Sequence, residues 1–173
     1  MIIDLFIIII FIYCFVVGFR RGCWLSIMHF GATLFSIFVA SKFYQPILER
    51  LVVFIPYPKT TAFDTSFAYH FSHLQHLFEA IIAILILAMI SKFILYLIIV
   101  TFDKIVAYQK IHIFSRALGM IIGVFVAIVM LHFILYVLAL YPNDWIQQQL
   151  STSIASKSLI FDVPLLSTFT LNL

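Results

Sequence analysis

The chain has 173 residues, 65% of them hydrophobic and only 10% charged, with a formal net charge of +3 and a mean hydropathy of +1.19. That balance excludes a water-soluble globular domain, in which about a quarter of residues are charged. The small, scattered positive charge also excludes the clustered basic face that nucleic acid requires, and lipid is the solvent that accepts such a chain.

The N-terminus begins Met1-Ile2-Ile3-Asp4. It has no basic n-region, and no small-x-small cleavage site follows the first apolar run, so that run is expected to be a retained span and not a signal peptide. A membrane helix needs about 20 apolar residues. Residues 2–19, 23–44, 80–102 and 117–141 meet this requirement. The expected fold is therefore an all-α integral membrane protein, a single domain over 1–173 with four transmembrane helices. Arg20-Arg21-Gly22 is the tight first connection. Residues 45–79 form the second, which Pro46, Pro56 and Pro58 cut into pieces too short to span. The apolar patches at 51–55 and 63–71 suit an interfacial segment on the outer face. Beyond the fourth span, Pro142 stops the helix and Asn143 caps a short amphipathic helix, Asp144-Trp145-Ile146-Gln147-Gln148-Gln149-Leu150. This places the tail, 143–173, in the headgroup layer with Trp145 as its anchor. Arg20, Arg21, Lys104, Lys110 and Arg116 flank the short first and third connections, against Lys42, Arg50, Lys59 and Lys157 on the other side. Short loops weigh most in setting orientation, so both termini are expected to be extracytoplasmic.

Small residues recur every four positions at Gly119, Gly123 and Ala127, and again at Ala32, Ser36 and Ala40. Such stripes let helix backbones approach closely, and the expectation is that spans two and four form the tightly packed pair. Packing within the chain is preferred to a homodimer face because these motifs recur widely. Lys92 lies inside the third span, where a charge is costly. Asp103 falls on the same helical face, with Tyr96 between them. The functional reading is a water-lined path or a site for an anionic group, as in a small oligomeric channel or transporter. The plainer reading, which is preferred, is a lysine that snorkels or hydrogen-bonds within the bundle. Asp4 in a first helical turn is favoured by the free amides there. His29 and His132 read as neutral, hydrogen-bonded imidazoles rather than a proton relay. His70, His73 and His76, with Glu79 a turn on, do not gather three ligands on one helix face, so an interfacial helix or pH-sensitive loop is preferred to a metal site. Cys14 and Cys23 read as small apolar fillers. Neither a glycine-flanked serine with a partner histidine, nor paired span aspartates, nor a His-Glu-x-x-His helix occurs, and Ser91 and Lys92 point to different sides of their helix. No catalytic residue, metal or cofactor is expected.

The early acid Asp4, the Gly18-Phe19-Arg20-Arg21-Gly22 end of the first span, and the Arg116-Ala117-Leu118-Gly119 opening of the fourth with Gly123 together resemble the colicin V production protein (CvpA) family. Pro142-Asn143-Asp144-Trp145-Ile146-Gln147 and the Ser158 to Pro164 tail are similar to the form found in Gram-positive bacteria. The resemblance covers nearly the whole chain. It implies a multi-pass protein of the bacterial cytoplasmic membrane, linked to production or secretion of a peptide bacteriocin toxin and to envelope stress, without an enzyme activity. Some relatives carry a trypsin-like protease domain outside the cytoplasm after the four-helix unit, which agrees with an outer C-terminus. This chain stops shortly after the amphipathic segment and is expected to have no protease activity of its own. The function implied is a non-enzymatic accessory or scaffold protein. Its expected partners are the lipid bilayer and either another membrane protein or further copies of itself, and not nucleic acid.

Overall fold

The computed structural model describes residues 2–107 and 112–171, with side chains at all of these except 52–54 and 103–107. Among the described residues every regular element is helical: α1 (Ile2–Phe43), α2 (Gln45–Phe54), α3 (Lys59–Asp64), α4 (Leu74–Ala107), α5 (Ile113–Leu140), α6 (Asp144–Thr152), α7 (Ile154–Phe161) and α8 (Leu166–Leu171). Three helices are long and apolar enough to cross a membrane, Ile2–Phe43, Leu74–Phe102 and Ile113–Leu140.

The first of these is not straight. Its 42 residues are interrupted at Gly22, which has φ 75 and ψ 178, a conformation that side-chain-bearing residues avoid. The Ser26 hydroxyl then lies 3.5 Å from the Gly18 carbonyl oxygen, whereas eight residues of continuous helix advance about 12 Å. The chain therefore bends back on itself at Gly22. The expected Arg20-Arg21-Gly22 connection thus contains no loop beyond this one glycine.

Contacts group the described residues into two compact units. Unit 1 draws on Met1–Ile8, Tyr44–Ala83 and Val129–Leu173, and unit 2 on Ile9–Phe43 and Ile84–Ile128. In unit 1 the N-terminal turns of α4 and the C-terminal turns of α5 supply the apolar core, with Ala80, Ile81, Leu131, Leu135 and Leu140 fully buried. Phe78 bridges to the connecting segments, 5.2 Å from the Tyr57 ring and 6.3 Å from Tyr141. Helix α4 starts at Leu74, earlier than hydropathy alone places it. The amide of Leu77 bonds the His73 carbonyl at 3.1 Å, so the polar turn before the apolar run is already helical.

Unit 2 is distributed inside out. Most of its buried positions are small or polar, including Gly18, Gly22, Ser26, Thr33, Ser36, Ala40, Gly119, Gly123 and Ala127, with Leu25, Ile84 and Ile99 the large apolar ones among them, whereas Phe15, Val16, Phe38, Phe93, Leu97 and Phe125 are exposed. Water does not tolerate that arrangement but hydrocarbon does, and it is how helices pack when lipid removes the hydrophobic drive between them.

The connection after α5 follows the sequence closely. Asn143 is extended, with φ −142 and ψ 118, and its side-chain oxygen accepts the Ile146 amide at 3.2 Å. Asn143→Ala removes this cap and is expected to cost about 1 kcal/mol, read as a small fall in the thermal unfolding midpoint in detergent.

Candidate functional site

Two constructions concentrate the unusual residues, one in each unit. In unit 2, the arm of α1 before Gly22 crosses α5 with backbone against backbone. A Cβ placed on Gly18 meets the Gly119 carbonyl oxygen, with the Gly119 carbonyl carbon at 3.0 Å and the Gly123 Cα at 3.3 Å. One on Gly119 meets the Gly18 carbonyl oxygen, with Gly22 backbone atoms at 2.8 and 2.9 Å, and one on Gly123 meets the Cys14 carbonyl oxygen. Cys14, Gly18 and Gly22 are therefore the stripe that faces Gly119 and Gly123. This corrects the expected pairing of spans two and four, since the close approach belongs to the first arm. Span two touches α5 through side chains, with the Phe30 and Phe125 rings 6.4 Å apart. Of its own stripe, Ser36 and Ala40 are buried, and the Ser36 hydroxyl returns to the Ala32 carbonyl at 2.7 Å. A chain that bends at a glycine must satisfy the amides freed there, and Cys23 N donates to the Ser115 hydroxyl at 3.1 Å.

Basic residues gather around this crossing. The Arg116 guanidinium lies 5.5 Å from the centre of the Phe19 ring, a cation–π contact of the kind that strengthens away from water. Arg20 is exposed and Arg21 partly buried. Lys92 is partly buried in α4. Tyr96, one turn on, packs against His29 with ring centres 5.9 Å apart. The Asp103 side chain, expected to answer Lys92, lies outside the described residues, as do those of Lys104 and Lys110.

In unit 1, polar side chains fasten the C-terminal segments to the rest. The Ser153 hydroxyl donates to the Asp4 carboxylate at 2.7 Å and accepts the Ser156 amide at 3.2 Å, so one group caps α7 and holds the first turn of α1. Ile2 N reaches the Gln149 side-chain oxygen at 3.3 Å. Gln147 is 2% exposed. Its amide nitrogen donates to the carbonyls of Leu138, Ala139 and Tyr141 at the end of α5, and its oxygen accepts from Ala68 N. The end of a helix leaves carbonyls without partners, and Gln147 supplies donors for them from outside. The Tyr69 hydroxyl pairs with that of Ser156 at 2.8 Å.

The tail is not confined to an amphipathic helix beside the last span. His132, wholly buried eight residues before the end of α5, donates through Nδ1 to the Leu159 carbonyl at 2.8 Å and pairs through Nε2 with the Thr170 hydroxyl at 3.2 Å. The Tyr136 hydroxyl donates to the Thr170 carbonyl at 2.8 Å. Phe71 stacks on Phe161 at 5.9 Å and meets Tyr136 edge-on at 5.6 Å. Helices α7 and α8 thus fold back along α5 by about 12 Å, eight residues of helical rise. Trp145 remains 57% exposed on α6.

The histidine run does not share a helix. His70 and His73 precede α4, and His73 has φ 60, so their side chains are not held in helical register with His76. Glu79 is buried and accepts from the Gln75 amide at 2.9 Å. Tyr57, also buried, has its phenol pushed above its usual value by that burial.

Apolar helices of spanning length, an inside-out unit 2 and glycine-mediated crossing define an all-helical, multi-pass membrane protein. The chain belongs to the colicin V production protein family, whose model matches residues 3–163. It is similar to the Bacillus subtilis (strain 168) protein named "Uncharacterized transmembrane protein YshB", with 28% identity over 165 residues, covering 95% of this chain and 92% of the relative. No solved structure matches.

Proposed function

We propose that this family member is a non-enzymatic accessory or scaffold protein of the bacterial cytoplasmic membrane, serving toxin production and secretion or envelope maintenance through contacts with other membrane proteins. In this reading it crosses the bilayer four times, which is supported by an α1 of 42 residues that bends at Gly22. Both termini lie on the outer face. The bond between Asp4 and Ser153 supports a shared side, and the Lys and Arg distribution supports the outer one.

The observation that carries the scaffold reading is how the buried polar groups are used. Gln147, Ser153, Ser156, His132 and Thr170 all spend their hydrogen bonds on this chain's own helix ends and tail. Groups committed to internal fastening build a rigid surface rather than a reaction centre. A crosslinking pull-down with the tagged protein from native membranes tests this. The expected result is enrichment of a secretion component or an envelope protease over an untagged control. Recovery of no membrane protein above that control would count against the scaffold role.

A further inference from the structure

The bend at Gly22 and the first turns of α5 meet at three points. The Cys23 amide donates to the Ser115 hydroxyl at 3.1 Å, the Arg116 guanidinium lies 5.5 Å from the centre of the Phe19 ring, and a Cβ on Gly119 would meet the Gly22 backbone at 2.8 Å. Arg20 and Arg21 fall between Phe19 and Cys23, so the contacts on either side of them gather Arg20, Arg21 and Arg116 at one end of unit 2. Helix α5 is a candidate span of 28 residues, about 42 Å at the helical rise, against a hydrocarbon core of about 30 Å. Its first turn therefore stands at head-group level. Trp24, Ile113 and Phe114 are exposed, each beside a residue of these contacts or next to one in sequence, and tryptophan with arginine is the pairing that marks a membrane–water boundary. The Nε of Arg116 is enclosed, with no hydrogen-bond partner among the described residues.

We propose that Arg20, Arg21 and Arg116 form a binding site for the phosphate of an anionic phospholipid at this end of unit 2. The bend holds three like charges at one place, and a phosphate relieves their repulsion. Guanidinium groups present planar forks that match phosphate oxygens. The Phe19 ring already orients that of Arg116, so little of its freedom is lost on binding. Basic recesses beside membrane helices take lipid head groups by this chemistry. A lipid also suits the surroundings, because the exposed Trp24, Ile113 and Phe114 offer contact to its glycerol region and acyl chains. A free phosphate ion would use the arginines alone.

Native mass spectrometry of the full chain in a neutral detergent, supplied with equal amounts of phosphatidylglycerol and phosphatidylcholine, tests the site. Wild type is expected to retain phosphatidylglycerol about ten-fold more than phosphatidylcholine, and Arg20→Gln and Arg116→Gln should each lower that preference about five-fold, the contribution expected of one basic residue near an anionic head group. Gel filtration shows which variants remain folded. Arg20 is exposed, so Arg20→Gln keeps the test decisive if Arg116→Gln does not fold. Lys157→Met removes the same charge from α7, which packs through Leu159 against His132 in the other half of α5, and should keep the preference. A loss in Lys157→Met as large as that in Arg20→Gln would assign the preference to overall charge and overturn the site. A second arm adds millimolar inorganic phosphate. Phosphate bound by wild type and not by Arg20→Gln, with the two lipids retained equally, would make the free ion the ligand and overturn the lipid assignment. Equal retention of both lipids without phosphate binding, or a preference unchanged in folded Arg20→Gln, overturns the proposal as a whole.

Discussion

Gly18→Leu is expected to abolish the native crossing of α1 and α5, with loss of a monodisperse folded species in detergent and a destabilisation of about 3 kcal/mol or more. The first added carbon already meets the Gly119 carbonyl oxygen. Its obstacle is backbone on both sides, so no rotamer change relieves it. The two helices must separate, and the dispersion and Cα–H···O contacts that hold membrane helices are lost along the whole crossing. Gly119→Leu should behave alike. Gly31 provides the contrast, since a Cβ there meets nothing within 4 Å and Gly31→Ala should change stability by no more than about 0.5 kcal/mol. Size-exclusion profiles and thermal midpoints measured side by side decide the matter. If Gly18→Leu behaves like Gly31→Ala, the crossing is not what holds unit 2 together.

The second large effect concerns the tail. His132→Ala removes the donor to the Leu159 carbonyl and the partner of Thr170 from a wholly buried position. It also opens a cavity the size of an imidazole. Each buried polar group left without a partner costs about 1–3 kcal/mol, so a loss of about 3 kcal/mol is expected, felt first in α7 and α8. Lys157 is exposed on α7 but protected from proteases by the helix around it. Trypsin should cut after Lys157 much faster in His132→Ala than in wild type, while the rest of the chain resists. Unchanged cleavage would mean that Tyr136, Phe71 and the Ser153–Asp4 link fasten the tail without the histidine.

What the sequence made legible follows the strength of its physical signals. Long apolar runs announce membrane helices because nothing else requires them, and Asn143 announces α6 because a side-chain oxygen before a helix has one evident use. The partner of Gly119 and Gly123 was harder to see. Two stripes competed for it, and Cys14-x-x-x-Gly18-x-x-x-Gly22 is obscured because its first member is a cysteine and its last reads as a connection. The actual choice depends on how the chain bends at Gly22, which places Gly18 opposite α5. The tail was hidden for a different reason. His132 and Thr170 are 38 residues apart, and neither belongs to a periodic pattern. Gln147 gave no warning either, since a glutamine in an amphipathic helix looks solvated until the carbonyls it serves are known.

The link between Asp4 and Ser153 joins positions 149 residues apart, almost the whole length of the chain. Closing so large a loop carries an entropic cost that local helix contacts avoid. During synthesis the first turn of α1 is made at the start, and its partner emerges only after every spanning helix has been inserted. Until then Asp4 waits without that hydroxyl. The joining of the two ends therefore marks the completion of assembly, and a chain interrupted before Ser153 has no means of reaching it.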